Sequence, residues 1–320
     1  WRRPLLITLS SGKTQERFVF KWDAKTLEKA RRVVSVQRRA AESPSVRVPT
    51  LLPRPGAPAD ETDSYLYKIG SQFFTRETFL EGEGIAPADA KPQHYEALGR
   101  MTGHLHNTLR DWKADGQSPM PPVTQILLIR EDMEALSQRL AAKAEQELTF
   151  GDRLFLQSSD LMLRHLAILA RNLPPQRWAQ MRRANIHGDP TLVNTLLPGG
   201  FVDFERTGAR PPVDDLRQSI LFQDRTRKRH YDLTRFLSVL QGYHQTAWVP
   251  FSEDEYRAAP EVLRGALLWD LAYWFFLRRD ELSPDTIGPV ETALASLRKL
   301  EHDFPGDRRS ESRLLNAVRR

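Results

Sequence analysis

Cysteine is absent from this 320-residue sequence, and its absence removes several classes of chemistry. The chain has no disulfide framework, no thiolate nucleophile and no thiolate-ligated zinc or iron–sulfur site. Long apolar runs are missing as well, because none approaches the ~20 residues of a membrane-spanning helix. No signal peptide is visible. We therefore expect a cytoplasmic protein without a membrane segment.

Positive charge is in modest excess, with a net charge of +6, while hydrophobic residues make up 40% of the chain. This composition supports one two-lobed domain or two small ones with a substantial core. The charge excess lies in two clusters, neither of which has interleaved aromatics or a nucleic-acid motif. We interpret them as solvated helix faces and regard nucleic acid as an unlikely partner. The clusters are Arg225, Arg227, Lys228 and Arg229, and Arg308, Arg309, Arg313, Arg319 and Arg320.

Three polar stretches follow one another within a short part of the chain: His187-Gly188-Asp189, then Asn194, then Asp203-Phe204-Glu205. The residues between Asn194 and Asp203 form two apolar, strand-like runs joined by the turn signal Pro198-Gly199-Gly200. A hairpin in this place would bring Asn194 and Asp203 side by side at one end.

This pattern suits phosphoryl transfer. The reaction needs one carboxylate to orient an attacking hydroxyl and accept its proton, and separate oxygen ligands to hold Mg²⁺ on the phosphates. Asp189 fits the first requirement. Asn194 and Asp203 fit the second, since an amide and a carboxylate both offer oxygen.

Residues 187–194 and 201–205 resemble the catalytic and metal-binding motifs of the aminoglycoside phosphotransferase and choline kinase superfamily. The resemblance implies a two-lobed protein-kinase fold, the use of ATP and Mg²⁺, and phosphorylation of mostly small molecules. It makes Asp189 the catalytic base, Asn194 and Asp203 the metal ligands, and His187 a support for the loop. Asp215 resembles the family's buried aspartate that braces the catalytic loop.

A kinase should have an ATP-binding lobe before these motifs. Leu5-Leu6-Ile7-Thr8-Leu9 and Phe18-Val19-Phe20-Lys21-Trp22 are strand-like, and a turn signal at residues 10–13 separates them, which predicts a β-hairpin. In the kinase pattern a lysine at the position of Lys21 binds the α- and β-phosphates. A solvent-facing lysine at a strand end is the alternative interpretation.

A carboxylate on the next helix usually holds such a lysine. The pattern predicts a helix from Thr26 to about Glu42, but Glu28 lies off its apolar face and Glu42 abuts Ser43-Pro44, where the helix should end. Gln37 falls on that face. The partner of Lys21 is therefore either Gln37 or a glutamate placed by some other geometry.

Only twenty residues precede Lys21, and Gly12 is the sole glycine among them. This length does not accommodate a further strand with a glycine-rich loop over the phosphates. We expect either a chain that starts downstream of its natural beginning, as Trp1 in place of methionine favours, or a reduced phosphate cover.

The sheet should resume at Tyr65-Leu66-Tyr67-Lys68-Ile69 and continue in an extended stretch from Gln72 to Leu80. In a kinase this last strand enters the hinge between the lobes. Backbone groups near Glu77 to Leu80 would then bind adenine, with Thr78 and Phe79 as nucleotide contacts. An ordinary edge strand is the alternative for any one of these residues.

From residue 85 onward the pattern is helical. The spacing of Leu98, Met101, Leu105 and Leu109 predicts an amphipathic helix ending near Trp112, in which His104 and His106 would be a core-edge and a surface histidine. Further helices are predicted over 123–150, 154–172, 214–223, 231–246, 253–277 and 289–303. The fold class is α+β and two-lobed, with an N-terminal lobe at 1–84 and a helical lobe at 85–320.

We thus predict a kinase that moves the ATP γ-phosphoryl group to a hydroxyl of a small molecule or of a serine or threonine in a biosynthetic precursor peptide. The basic cluster near Arg227 favours an anionic or peptide acceptor. The alternative is a pseudokinase that binds nucleotide without transfer.

Overall fold

The computed structural model describes residues 4–11, 14–86, 89–112, 122–197, 199–216 and 231–305, together with Leu314 and Val318. Both basic clusters and most of the helix predicted over 214–223 lie outside the described residues. The strands are β1 Leu5–Ser11, β2 Thr14–Ala24, β3 Tyr67–Ile69, β4 Gln72–Thr78, β5 Glu83–Gly84, β6 Ala184–Ile186, β7 Thr195–Leu197, β8 Gly200–Phe201 and β9 Gly208–Arg210. The helices are α1 Leu27–Ala40, α2 Pro92–Leu109, α3 Arg130–Ala141, α4 Phe150–Asn172, α5 Pro175–Gln180, α6 Leu233–Thr246, α7 Glu253–Ala272 and α8 Gly288–Asp303.

An antiparallel sheet of four strands, in the order β1-β2-β4-β3, forms the N-terminal region. The predicted β1–β2 hairpin is confirmed, with Leu5 opposite Phe20. Across the β2–β4 pair, Lys21 lies opposite Thr75 and Val19 opposite Glu77. Residues two apart on a strand share a face, so this register places Lys21 and Glu77 on the same side of the sheet.

Helix α1 lies against this sheet and also contacts the helical region. Thr26 caps its N-terminus by accepting a hydrogen bond from the Lys29 amide. Ala30 and Val34 belong to a small core with strand residues, whereas Val33 and Val36 join the main core of the protein. One helix therefore packs into both hydrophobic cores, which fixes the sheet relative to the helices.

The helical region is built around a close pair, α2 and α6. A Cβ atom on Gly99 would lie 2.1 Å from the Val239 carbonyl oxygen, and one on Gly242 would lie 2.0 Å from that of Glu96. Only glycine permits this approach of two backbones. This contact places His106 on α2 beside Tyr243 on α6.

The prediction of a single helix over 123–150 is wrong. A 3₁₀ segment, Val123–Ile129, precedes α3, and a new helix, α4, begins at Phe150. Thr149 and Asp152 form a capping box, in which each side chain accepts from the other's backbone amide. This reciprocal cap starts a helix at a point where apolar periodicity alone suggested continuation.

The predicted catalytic hairpin is confirmed as β7 and β8, which pair with Thr195 opposite Phe201. Strand β5 adds to this hairpin, with Glu83 opposite Leu197. Glu83 and Gly84, the last residues of the predicted N-terminal lobe, thus pair with a strand of the other lobe. The predicted α+β class, with a small antiparallel sheet followed by a mainly helical part, is confirmed. Within the described residues, no helix has the length and apolarity to cross a membrane.

Candidate active site

Asp215 anchors the loop that carries Asp189. Its carboxylate accepts hydrogen bonds from the backbone amides of His187, at 3.0 Å, and Gly188, at 2.7 Å. It is fully buried, so these bonds form in a low-dielectric environment where charge-assisted hydrogen bonds are strong. Asp215 therefore holds the backbone of the loop immediately before Asp189.

His106 was predicted to lie at the core edge or the surface, but it is buried against the same carboxylate. Its Nε2 atom donates to Asp215 Oδ2 at 2.8 Å, and its Nδ1 atom lies 3.0 Å from the Tyr243 hydroxyl. Spacing carried a signal, since His106 lies four residues from Thr102 and eight from Leu98, both buried on α2. The loop is thus tied to helices α2 and α6.

His187 is buried within the loop and is neutral. Its Nε2 atom donates to the Val202 carbonyl at 3.0 Å, which leaves Nδ1 to accept from the Asp189 amide at 3.2 Å. Burial lowers the pKa of the imidazole, while the negative charges of Asp215 and Asp203 oppose that change. His187 therefore joins the loop to the end of the hairpin.

Gly188 permits a tight crossing of two backbone segments. It has φ +84°, and a Cβ atom at this position would lie 2.2 Å from the Arg206 carbonyl oxygen. The crossing also brings the Arg206 side chain to the loop, where its Nη1 atom lies 3.6 Å from Asp189 Oδ2. Asp189 is thus presented beside a cation that sequence reasoning did not identify.

Asn194 and Asp203 lie next to each other, as the hairpin predicted. The Val202 amide donates to the Asn194 carbonyl at 3.0 Å. Asn194 Nδ2 donates to the Asp189 carbonyl at 3.0 Å, which orients the amide group and leaves its oxygen as an acceptor. Asn194 is therefore hydrogen-bonded to Asp189 and to Val202, the residue that precedes Asp203.

Asp203 meets the N-terminal sheet. Lys21 Nζ donates to Asp203 Oδ1 at 2.7 Å, across 182 residues of sequence. Burial pushes the pKa of this carboxyl up, but the Lys21 ammonium, through its charge and its hydrogen bond, holds it below the ordinary value. Asp203 also has φ +68°, an uncommon backbone conformation for a non-glycine residue.

Gln37 was a candidate partner of Lys21, and its observed contacts lie elsewhere. Its Nε2 atom donates to the Pro49 carbonyl at 2.9 Å, and its side chain also favours the charged form of Glu77. Glu77 was predicted only as a backbone contact of adenine, yet its side chain is a carboxylate near Lys21. The second alternative, a glutamate placed by another geometry, stays a prediction, for which Glu77 is the candidate.

Thr78 and Phe79 lie where β4 ends, but their amides are already hydrogen-bonded. The Thr78 amide donates to the Thr50 carbonyl at 2.9 Å and the Phe79 amide to the Arg17 carbonyl at 3.2 Å. The Phe79 ring packs against the Arg17 guanidinium at 4.3 Å. The two amides are therefore already paired, and contact of Thr78 and Phe79 with a nucleotide stays a prediction.

The oxygen donors at the hairpin fit Mg²⁺. Asn194 and Asp203 supply an amide and an ionised carboxylate, both hard ligands of the type that Mg²⁺ takes in phosphoryl-transfer sites. Among the described residues, no group of three histidine, aspartate or glutamate side chains is arranged to hold a metal ion. One or two protein ligands, with phosphates and water as the rest, is the usual composition of a magnesium–nucleotide site.

A model of the phosphotransferase enzyme family matches residues 8–264, a span that contains Lys21, the catalytic loop and Asp215. The chain belongs to this family. The enzyme class predicted from the sequence, a kinase that acts on hydroxyl groups, is thereby confirmed. Among curated proteins, none matches the chain.

Solved structures with the same fold include three that differ in what their names say they phosphorylate. An aminoglycoside phosphotransferase from Alicyclobacillus acidocaldarius has a TM-score of 0.69 at 16% identity, covering 98% of this chain and 92% of that one. A microcompartment-associated aminopropanol kinase has a TM-score of 0.55 at 18% identity, covering 99% and 94%. A Plasmodium vivax ethanolamine kinase has a TM-score of 0.52 at 11% identity, covering 92% and 79%. At these identities they show the kinase-like fold.

Proposed function

We propose that this phosphotransferase moves the γ-phosphoryl group of ATP to a hydroxyl group of a small molecule, with Mg²⁺ as cofactor. The observation that carries the proposal is the 2.7 Å contact between Lys21 and Asp203 beside the loop that presents Asp189. A phosphate-binding cation, a metal-binding carboxylate and a candidate base thus converge from two lobes. ATP use also favours the cytoplasm as the location.

In this proposal Asp189 orients the acceptor hydroxyl and accepts its proton as the oxygen–phosphorus bond forms and ADP leaves. Asn194 and Asp203 hold Mg²⁺, which neutralises phosphate charge when it is bound. Lys21 binds the phosphates. The protein acts mainly by positioning and charge stabilisation, and no covalent enzyme intermediate is needed.

The acceptor we propose is a small hydroxyl compound, because the structural neighbours are named as an aminoglycoside phosphotransferase, an aminopropanol kinase and an ethanolamine kinase. Arg206 adds a positive charge next to Asp189, which would favour an acceptor with a negatively charged group. The basic cluster that suggested a peptide lies outside the described residues. Peptides therefore serve as a comparison in the test.

The test is ADP release from Mg·ATP with a panel of amino alcohols, amino sugars, hydroxy acids and a serine/threonine peptide. We expect at least one small alcohol to be phosphorylated, and Asp189→Asn to lower its turnover by about 10²- to 10⁴-fold. Full turnover in Asp189→Asn would refute the assignment of the base. Nucleotide binding without transfer to any acceptor would support the pseudokinase alternative.

A further inference from the structure

Glu77 is a carboxylate almost completely inside the protein, with 4% of its surface exposed. It lies on β4, in the interior of the four-stranded sheet. Burying an ionised carboxylate costs several kcal/mol unless a cation and hydrogen bonds compensate. A hydrophobic residue would fill this position without that cost, so the groups around Glu77 indicate what the carboxylate does.

The sheet directs Glu77 toward Lys21. Lys21 is opposite Thr75, and Glu77 is two residues further along β4 on the same face, so the two charged side chains are diagonal neighbours. Long side chains reach one another across such a diagonal. Thr75 Oγ1 donates to Glu77 Oε1 at 3.2 Å, which confirms that the residues project to one side.

Electrostatics give the same pairing. Burial raises the pKa of the Glu77 carboxyl, and the largest opposing effect is the positive charge of Lys21, followed by hydrogen bonds from Gln37 and Thr75. Gln37 is itself buried, with 1% of its surface exposed. Its amide donates to the Pro49 carbonyl, and the Gln37 side chain also stabilises the charged form of Glu77. Helix α1 thus contributes a neutral group where an acid was expected.

We propose that Glu77 is the residue that positions Lys21 for the nucleotide phosphates, in place of an acid on helix α1. The proposal rests on the proposed function, because it assumes that Lys21 binds phosphate. Glu77 acts through Lys21 and touches no reacting atom. While Asp203 serves as a metal ligand, Glu77 remains as the fixed counter-charge that keeps the ammonium in place.

This arrangement has a structural consequence. When the carboxylate lies on a helix, the distance between lysine and acid depends on how the helix docks. Here both residues lie on hydrogen-bonded neighbouring strands, β2 and β4, so the register of the sheet sets their separation. The position of helix α1 against the sheet then affects only the interaction of Gln37 with Glu77.

The experiment compares three variants by calorimetric titration with Mg·ATP and, separately, with adenosine. Glu77→Gln removes the charge with little change in shape. The double variant Glu77→Gln with Gln37→Glu exchanges the two groups, so that helix α1 carries the carboxylate and β4 carries the amide. Glu255→Gln is the control, since Glu255 is also buried, at 2% exposure, and caps α7 far along the chain.

We expect Glu77→Gln to weaken Mg·ATP binding by about 10- to 100-fold, the usual effect of losing a charged hydrogen-bond partner, with adenosine affinity unchanged. The double variant should recover most of the loss, and Glu255→Gln should bind like wild type. Adenosine is decisive because a merely structural role for Glu77 would weaken both ligands together.

Equal Mg·ATP affinity in Glu77→Gln and wild type would overturn the inference while leaving the proposed function intact. So would a parallel loss of Mg·ATP and adenosine binding. If Glu77→Gln does not fold, the double variant tests the proposal by itself: Mg·ATP affinity near that of wild type is expected, and a loss of both Mg·ATP and adenosine binding would overturn the inference. Absence of Mg·ATP binding in wild type would instead refute the proposed function itself.

Discussion

The two halves of the site are built in different ways. The half that carries Asp189 is assembled from residues 187–215, and a single carboxylate, Asp215, accepts from two of its amides. The half that carries Lys21 draws on β2, α1 and β4, whose contributing residues lie up to 56 positions apart. The first half comes from one segment and can be recognised in the sequence as a motif. The second half comes from three elements, so it depends on how these elements pair and pack.

The largest effect should come from the anchor of the first half. Asp215→Ala removes the acceptor of the His187 and Gly188 amides and of His106, and leaves these donors buried. We expect the free energy of unfolding to fall by about 3–5 kcal/mol, measured by urea denaturation. Asp63→Ala is the control, because it breaks an exposed ion pair with Arg31 and should cost less than about 1 kcal/mol. Similar losses in the two variants would contradict the anchoring role.

A smaller effect is expected in how the stability of the whole protein changes with pH. His165 is fully buried in α4, and burial, with the charges of Arg264 and Arg164, lowers its pKa to about 3. Arg264 donates to its Nδ1 atom, and Glu301 lies 3.7 Å from Nε2. The unfolded chain, with an ordinary histidine pKa near 6.5, binds the proton first. Stability should therefore fall by about 2 kcal/mol between pH 7 and pH 5.

Urea denaturation at several pH values measures the slope of the free energy of unfolding against pH. His165→Asn keeps an acceptor for Arg264 but cannot titrate, so its slope should be shallower than that of wild type. The same slope in both proteins would show that other groups control the acid response.

The smallest effect is expected in the second half, because its contacts are distributed. Gln37→Ala removes the hydrogen bond to Pro49 and the polar interaction with Glu77, but it leaves Lys21 and Glu77 as neighbours in the sheet. We expect Mg·ATP affinity to fall less than in Glu77→Gln, by no more than about tenfold. A greater loss in Gln37→Ala than in Glu77→Gln would show that helix α1, and not β4, positions the lysine.

The difference between the two halves of the site also explains how much of the structure could be predicted from the sequence. The motif around Asp189, Asn194 and Asp203 predicted the hairpin and the juxtaposition of its residues, since turn chemistry and local spacing are sufficient for that. The two-lobed fold followed from the resemblance. The β1–β2 hairpin and the position of Lys21 followed from alternating apolar residues.

The parts that could not be predicted depend on long-range packing. Glu77 was placed on the correct strand, but its partner is determined by the β2–β4 register, which a single sequence does not reveal. His106 contacts Tyr243 because glycines allow α2 and α6 to approach closely, and Asp215 reaches its other nitrogen from a segment 109 residues away. Arg206 reaches Asp189 only through the backbone crossing at Gly188. Each contact joins segments whose relative position is settled by the folded core.

The most direct test of the proposed nucleotide site is thermal stabilisation by Mg·ATP in wild type, Asp189→Asn and Asp203→Ala, measured in parallel with and without Mg²⁺. We expect magnesium-dependent stabilisation in wild type and Asp189→Asn, and its loss in Asp203→Ala. No stabilisation of wild type, or equal stabilisation of Asp203→Ala, would contradict the assignment of this site to Mg·ATP.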